Sequence, residues 1–448
     1  MTNVRDPLNL VVAGLLFISV SKIQMYIPVL RGLPMAQILV LAAFAYWMMN
    51  PVKATLSNLT RWWQSRVIIA LVVLACGSVV FGISLGRSAS FFLQDYSKVL
   101  IFAALLFGTM SSPANLRRTI WAFVLGCVGI VYVSLVVAGI SKTASHASYD
   151  ANDTGLFLVT AFPLAIWLYR TSIGKEKALA GLSTILLLWT IPQSESRGAF
   201  VGFVVVLLGL LLWGSGFRAI RRFGVMAVAL LVMALAAPQG YGERLESLMN
   251  PTEDYNWSAP TGRRQLALRG MGYMLQYPLF GIGVGNFPMA EGQISELAQN
   301  HLPGERGIRW AAAHNSYVQV GAEMGIPGLI LWTSLVFGSM VSLVRLRKRL
   351  PRTWGRSAGE PAKIYHGIAY LVIAWAGFSV CATFVSFAYH DPVYVLAAFT
   401  VGMYVSVEQV QHAQRYRFAT KARKAAAKLR APARPGASSR QPTVTVRS

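Results

Sequence analysis

The segment 313–329 combines a titratable ring with a long apolar run. It reads A-H-N-S-Y-V-Q-V-G-A-E-M-G-I-P-G-L and carries His314 where a loop of mixed polarity enters the apolar stretch. A neutral imidazole accepts a proton from a hydroxyl group near neutral pH. Ionisable side chains are costly inside apolar membrane segments and usually mark a function. His314 is therefore the candidate general base.

Arginines could supply the complementary chemistry. Arg197 lies in S-E-S-R-G, a short turn between two apolar runs, and Arg263 and Arg264 begin an amphipathic stretch in the longest polar segment. The guanidinium group stays charged at any relevant pH, and its planar fork matches phosphate oxygens. A histidine and two or more arginines would therefore suffice to displace a phosphate leaving group. We expect this chemistry to need no metal and no cofactor.

Six further residues are expected to support this site. Asn315 and Tyr317 are expected to orient His314 or to line a groove. Glu323 lies roughly 13 Å beyond His314 along a regular helix, too far for direct contact, so we expect it to bond a neighbouring helix. For Arg269, a salt bridge to the acids of its own loop competes with phosphate binding. The supporting residues are Asn315, Tyr317, Glu323, Arg269, Arg309 and His390.

The composition is that of a membrane protein. The 448-residue chain is 55% hydrophobic and only 13% charged, whereas a soluble chain is roughly a quarter charged. Apolar blocks of about 20 residues predict transmembrane helices. We predict an all-α polytopic membrane protein with about twelve spans and one large, partly helical periplasmic loop. The spans are predicted near 8–24, 33–50, 67–86, 89–110, 119–140, 153–169, 179–192, 198–213, 223–238, 315–344, 366–388 and 393–410.

The net charge of +24 raises the possibility of nucleic-acid binding, but its distribution argues against that class. Most of the 41 lysine and arginine residues fall in the loops that one orientation places inside, so the positive-inside rule predicts that both termini are cytoplasmic. Attraction to anionic lipid headgroups explains the basic C-terminal tail, so membrane lipids are the expected partners and nucleic acid is not. The predicted organisation is spans one to nine in 1–238, the periplasmic loop in 239–313, spans ten to twelve in 314–410, and a disordered basic tail in 411–448.

The long loop has internal structure of its own. Its periodicity predicts a helix over Thr261 to Gln276, with Thr261 as the N-cap and Pro278 after its end. A tight glycine-rich turn follows at 281–285, and a second short helix is predicted over Pro288 to Ala298. Long loops on a scaffold of short-looped helices are usually functional.

Four motifs in this region resemble the O-antigen ligase and polymerase superfamily of membrane glycosyltransferases. They match in order and spacing from about Glu195 to Leu329, and the flanking spans match in hydropathy only. Where the family pattern has tryptophan four residues after its loop arginine, this chain has Ala267, which leaves the choice between Arg263 and Arg264 open. The motifs read S-R-G-A (196–199), T-G-R-R-Q-L-A-L-R-G (261–270), Y-P-L-F-G-I-G-V-G-N-F (277–287) and the His314 segment.

The resemblance implies a GT-C-like fold and a specific reaction. His314 would be the acceptor-side base, while Arg197 and Arg263 or Arg264 would hold the pyrophosphate of an undecaprenyl-pyrophosphate-linked glycan. The leading expectation is an O-antigen ligase of the bacterial (Gram-negative) inner membrane. It would transfer the glycan to a hydroxyl group of lipid A–core oligosaccharide on the periplasmic face, without metal and with inversion of the anomeric carbon.

Other functions remain open. An O-antigen polymerase and a protein O-oligosaccharyltransferase share the motif, although the latter usually has a longer C-terminal periplasmic portion. The rival from another class is a transporter or lipid-glycan flippase, which twelve spans with both ends inside would suit. Transporters, however, usually place charges at mid-membrane on broken helices in two related halves. Here the charges gather at the predicted outer interface, and the halves differ.

Overall fold

The computed structural model describes most of the chain as helix. Within the described residues the protein is all-α and polytopic, as predicted, with no strand. The residues described are 6–27, 29, 33, 35–49, 58–134, 149–213, 219–246, 254, 257, 259–300 and 310–430. Two compact units are distinguished, Met1–Ser406 and Val407–Ser448.

A helix lies at each of the twelve predicted spans. Seven helices are long and apolar enough to cross a membrane: α3 (Trp63–Phe81), α4 (Leu85–Thr109), α5 (Pro113–Tyr132), α6 (Ala151–Thr171), α14 (Ser316–Arg349), α15 (Glu360–Phe384) and α16 (Asp391–Arg430, apolar to Thr420). Others are shorter or more polar: α1 (Pro7–Ser21), α2 (Met35–Met49), α7 (Gly174–Gln193), α8 (Arg197–Trp213) and α9 (Ala219–Ala236). The count of twelve spans therefore stays a prediction.

Local sequence signals explain where several helices begin. The Asp6 side chain accepts the Asn9 N–H ahead of Pro7, and Ser112 does the same for Asn115 ahead of Pro113. Side-chain oxygens of this kind satisfy N–H groups that a helix leaves unpaired in its first turn, where proline needs no partner. Helix α6 has a reciprocal capping box made by Asp150 and its third helical residue.

Helices α6, α8 and α15 pack closely against one another. A Cβ atom on Gly202 of α8 would lie 2.3 Å from the Cys381 sulfur of α15, and one on Gly377 of α15 would lie 2.6 Å from Val206 Cγ2. Small residues at such crossings let helix backbones approach closely in membranes. Trp375 of α15 is fully buried here. This rigid core supports the ends of α8 and α15 that carry the candidate site.

Four short helices are described in the residues of the loop between α9 and α14 that the structure covers. They are α10 (Tyr241–Glu246), α11 (Arg263–Gln276), α12 (Phe287–Gln293) and α13 (Glu296–Gln299). Helix α11 begins two residues later than predicted, and Gly262 rather than Thr261 is its N-cap. The predicted helix over 288–298 is divided into α12 and α13, because Ser295 leaves the first helix to cap the second.

Helix α14 is interrupted where the loop packs against it. Gly325 has φ +70°, outside the helical region, and the following N–H of Ile326 donates to the Pro278 carbonyl at 2.8 Å. A Cβ atom on Gly281 would lie 2.3 Å from the Glu323 carbonyl carbon, so only glycine allows this approach. The glycine turn of the loop is thereby docked into the break in α14.

The predicted tail is helical in part, so the prediction of disorder is wrong for 411–430. Helix α16 continues to Arg430. The segment is rich in alanine, lysine, arginine and glutamine, which favour helix, and its first proline is Pro432. The rest of the predicted tail, 431–448, lies outside the described residues.

Candidate functional site

His314 sits in a strained turn directly before α14. Its φ is +48°, an uncommon value for a residue with a side chain. Its backbone N–H donates to Ser386 Oγ at 2.8 Å, in the connection between α15 and α16. The residue is partly exposed. The turn is therefore held from a different helix while the ring keeps access to solvent.

The first turn of α14 is locked against the same connection. Ser316 Oγ donates to the Val385 carbonyl at 2.8 Å and accepts the Phe387 N–H at 3.0 Å. The Tyr317 hydroxyl donates to the Ser379 carbonyl at 3.0 Å, and its ring packs edge-on against Trp332. Tyr317 thus points into the bundle, where it supports α14.

Asn315 acts as the N-cap of α14. Its Oδ1 accepts the N–H groups of Tyr317 at 2.9 Å and Val318 at 3.2 Å. The side chain thus pairs N–H groups in the first turn of α14, which begins directly after the turn at His314. The expectation that Asn315 orients His314 stays a prediction.

Helix α11 lies beside α14 and runs in the same direction. A Cβ atom on Gly270 would lie 2.3 Å from Val318 Cγ1, and one on Gly321 would lie 2.8 Å from the Met274 sulfur. Because contacts advance along both helices together, the two N-termini lie at the same end of the bundle. Arg263, the first residue of α11, therefore lies at the same end of the bundle as His314.

Arg197 and Arg263 lie within electrostatic range of each other. Burial lowers the pKa of Arg263, and the positive charge of Arg197 lowers it further, while the carboxylate of Asp150 acts in the opposite direction. Arg197 itself forms a salt bridge with Asp254 in the long loop. Two positive charges and two carboxylates thus meet at this end of the bundle.

The turn that carries Arg197 is fixed to α6 and α15. Glu195 has φ +53°, and the Ser196 hydroxyl donates to Asn152 Oδ1 at 2.7 Å. A Cβ atom on Gly198 would lie 2.6 Å from Phe384 Cγ. Phe384 is two residues before Ser386, the partner of His314. Arg197 and His314 therefore flank one short segment, 384–386.

Arg264 lies beside an aromatic ring, and Arg269 lies beside a carboxylate of its own loop. Arg264 is exposed, and its guanidinium carbon lies 5.2 Å from the centre of the Trp257 ring. Arg269 donates from Nε to both carboxylate oxygens of Glu291 at 3.0 Å, and Tyr273 donates to the same carboxylate at 3.0 Å. Arg263 is thus the arginine that interacts electrostatically with Arg197, whereas Arg269 forms an ion pair with Glu291. The candidate Arg309 lies outside the described residues.

Glu323 is buried and holds the loop. Its Oε1 accepts the N–H of Phe287, the first residue of α12, at 3.0 Å. Its main-chain carbonyl accepts the Ser78 hydroxyl at 2.6 Å and the Gly283 N–H at 3.2 Å. These contacts agree with a structural role for Glu323.

His390 lies near this end of the bundle but interacts with another ring. It is exposed, and its ring stacks on Phe387 with centroids 4.5 Å apart. Its supporting role stays a prediction.

Sequence reasoning missed several residues at this end. Lys22 at the end of α1 places Nζ 3.9 Å from the centre of the Tyr149 ring. Lys22, Glu195 and His314 are the three residues other than glycine with positive φ in the described parts of the chain. Strained residues of this kind cluster at functional sites. The capping role of Asp150 could have been predicted from its Asp-x-x-Asp spacing before an apolar run. Nothing in the sequence identified Asp254 as the partner of Arg197 or Ser386 as the partner of His314.

One comparison with known proteins matches the part of the chain that carries these residues. A family model described as O-Antigen ligase matches residues 182–333, which include Arg197, Arg263 and His314. No curated protein matches the chain. The match supports the resemblance predicted from the motifs: residues 182–333 are similar to the O-antigen ligase family, and they lie in a multi-pass membrane protein.

Proposed function

We propose that this protein is an O-antigen ligase. It transfers a glycan from undecaprenyl pyrophosphate to a hydroxyl group of lipid A–core oligosaccharide. The observation that carries the proposal is the meeting of Arg197, Arg263 and the His314 turn around the end of α15. This arrangement pairs an anion-binding side with a basic side, as displacement of a pyrophosphate requires.

Arg197 and Arg263 form the donor side. The donor leaves as a pyrophosphate, whose developing negative charge needs stabilisation more than it needs a general acid. Two guanidinium groups in a partly buried site provide that stabilisation, because charges interact more strongly away from bulk water. Helix α11 adds to it, since its N-terminus lies at Arg263 and its cap, Gly262, provides no side chain to pair the first N–H groups.

His314 forms the acceptor side. Its imidazole accepts the proton of the acceptor hydroxyl as the oxygen attacks the anomeric carbon. The bond from that carbon to the pyrophosphate oxygen breaks, and its electron pair leaves with the pyrophosphate. Direct displacement of this kind inverts the anomeric carbon, and it uses no metal or cofactor. Recovery of a product with retained configuration would contradict this step.

The proposed setting is the Gram-negative inner membrane. Both termini face the cytoplasm, and the site faces the periplasm, because the lysine- and arginine-rich connections lie at the opposite end of the helices from His314. Lipid-linked donor, lipid A–core and membrane lipids are the partners. Reporter fusions after Thr171 and after Gln193 test this topology, with cytoplasmic and periplasmic signals expected, respectively.

The decisive experiment is transfer in vitro with purified full-length protein in detergent. The assay contains polyprenyl-pyrophosphate glycan, lipid A–core and EDTA, and it compares the wild type with His314→Ala and with the exposed-histidine control His412→Ala. We expect EDTA-resistant ligation by the wild type and by the control. Removal of a general base typically costs about 10²- to 10⁴-fold in rate, so His314→Ala should lose most transfer.

Other outcomes of that assay reassign the function. Donor consumption without lipid A–core, with added donor as the acceptor, would indicate a polymerase. Transfer to a protein acceptor would indicate an oligosaccharyltransferase. No consumption of donor with any acceptor, together with movement of intact donor across the membrane when the protein is reconstituted in vesicles, would indicate a flippase.

A further inference from the structure

The salt bridge between Asp254 and Arg197 occupies one of the two proposed donor-binding cations. The two side chains are only 13% and 23% exposed, so the pair is largely shielded from water. Close, shielded charge pairs are coupled more strongly than exposed pairs. A phosphate group that binds Arg197 must therefore compete with a carboxylate that belongs to the protein.

The carboxylate near Arg263, that of Asp150, already has a structural role. Asp150 is already used as the cap of α6, where its Oδ1 accepts the N–H groups of Asn152 and Asp153, each at 2.7 Å. Displacing it would cost the helix its cap. Asp254 instead belongs to the long loop, and its carboxylate pairs with Arg197. Of the two acids, Asp254 is therefore the one that competes directly with an incoming phosphate for Arg197.

The charge of the ligand changes during the proposed reaction. A glycan joined to polyprenyl pyrophosphate is a pyrophosphate diester with two negative charges. After the anomeric carbon–oxygen bond breaks, the departing polyprenyl pyrophosphate carries one more negative charge, and the acceptor proton passes to His314. A purely cationic site would therefore bind the product more tightly than the donor and would be slow to release it.

We propose that Asp254 is a positioning residue that reclaims Arg197 and so promotes release of polyprenyl pyrophosphate. The inference rests on the proposed function for its product, but the competition between Asp254 and a pyrophosphate stands on the salt bridge alone. Asp254 lowers the affinity of the site for the donor and for the product. In return it prevents the product from blocking the next turnover.

The test uses Asp254→Asn, which keeps the shape of the side chain and removes its charge. Farnesyl pyrophosphate serves as the probe, and its binding to the full-length protein in detergent is measured by calorimetry. We expect about tenfold tighter binding, equivalent to about 1.4 kcal/mol. Glu246→Gln removes the same charge from an exposed position in the same loop and should leave binding unchanged. Asp254→Glu, which restores a carboxylate, should return binding towards the wild-type value.

Kinetics separate this role from simple structural damage. In Asp254→Asn the KM for the donor and kcat should both fall, and the first turnover should be faster than later ones because product release has become limiting. A structural defect would instead weaken binding and abolish the initial burst. Unchanged or weaker binding of farnesyl pyrophosphate by both Asp254→Asn and a second neutral variant, Asp254→Ser, would overturn the inference.

The binding and transfer measurements can refute the proposed function and the role of Asp254 separately. If the wild type binds farnesyl pyrophosphate but transfers no glycan to any acceptor, the proposed function fails, and the competition at Arg197 is still measured. If the wild type transfers glycan and the Asp254 variants bind and turn over as it does, the proposed function stands and the role of Asp254 is refuted.

Discussion

The two sides of the candidate site are held by different forces. On the His314 side, α14 is fixed by directional hydrogen bonds between Ser316, Tyr317 and the backbone of 379–387. On the arginine side, Arg197 and Arg263 are surrounded by the carboxylates of Asp254 and Asp150. Hydrogen bonds to the backbone fix a position, whereas ion pairs can be exchanged for a ligand of the same charge. The proposed base is therefore held rigidly, whereas the proposed anion site is held by ion pairs that a ligand can exchange.

The largest effect is expected on the arginine side. Arg263→Gln removes a charge that would meet the leaving pyrophosphate, so transfer should fall by about 10²- to 10³-fold. The neighbouring Arg264→Gln, in which the lost group lies over Trp257, is the matched control and should change the rate little. Initial rates at saturating acceptor measure both. Equal losses in the two variants would contradict the assignment of Arg263 over Arg264.

A smaller effect is expected where the loop docks into α14. Gly281→Ala adds a methyl group 2.3 Å from the Glu323 carbonyl carbon at a position with φ +68°. Overpacking of this kind costs about 1–3 kcal/mol, so the protein in detergent should unfold at a lower temperature.

Gly272→Ala is the control for that change, since a Cβ atom at Gly272 meets no atom within 4 Å. It should leave the unfolding temperature unchanged or raise it, because alanine favours helix over glycine. Equal destabilisation by both substitutions would show that the docking of the glycine turn is unimportant.

The smallest effect on transfer is expected for Ser386, whose hydroxyl group holds the backbone of His314. Ser386→Ala removes the acceptor of the His314 N–H, and one hydrogen bond contributes about 1 kcal/mol. We expect kcat/KM to fall by about fivefold while binding of farnesyl pyrophosphate stays unchanged.

Raising the salt concentration provides the converse test, since it weakens ionic attraction to the arginines and leaves neutral hydrogen bonds little affected. Binding of the probe should therefore weaken with salt to the same extent in Ser386→Ala and in the wild type. A different salt dependence in this variant would show that the two sides are not independent.

The sequence was sufficient for the helices and for the family resemblance. Apolar runs of about 20 residues and charges between them located a helix at each predicted span, and the motifs around Arg197, Arg263 and His314 lie in the region that the O-antigen ligase family model matches. These signals are local, because periodicity and motif spacing are properties of neighbouring residues.

The remaining features depend on contacts between distant segments. Asp254 lies 57 positions from Arg197, and Ser386 lies 72 positions from His314, so no local pattern joins them. The break at Gly325 likewise arises from docking of the loop, although the glycines and Pro327 made a loosened helix predictable there. The helix in 411–430 was missed because the tail was treated as one segment rich in alanine, proline and serine, whereas its prolines and serines all lie beyond Arg430.

The docking of the glycine turn into α14 also limits how this protein can be recombined with its relatives. The loop is a structural part of the helix it precedes, since Ile282 N–H donates to the Ala322 carbonyl at 2.8 Å and Ile326 N–H donates to Pro278. A chimaera that replaces the loop alone would separate the two halves of this joint. Loop exchange designed to alter glycan preference should therefore carry α11, the 277–287 turn and residues 320–326 as one cassette.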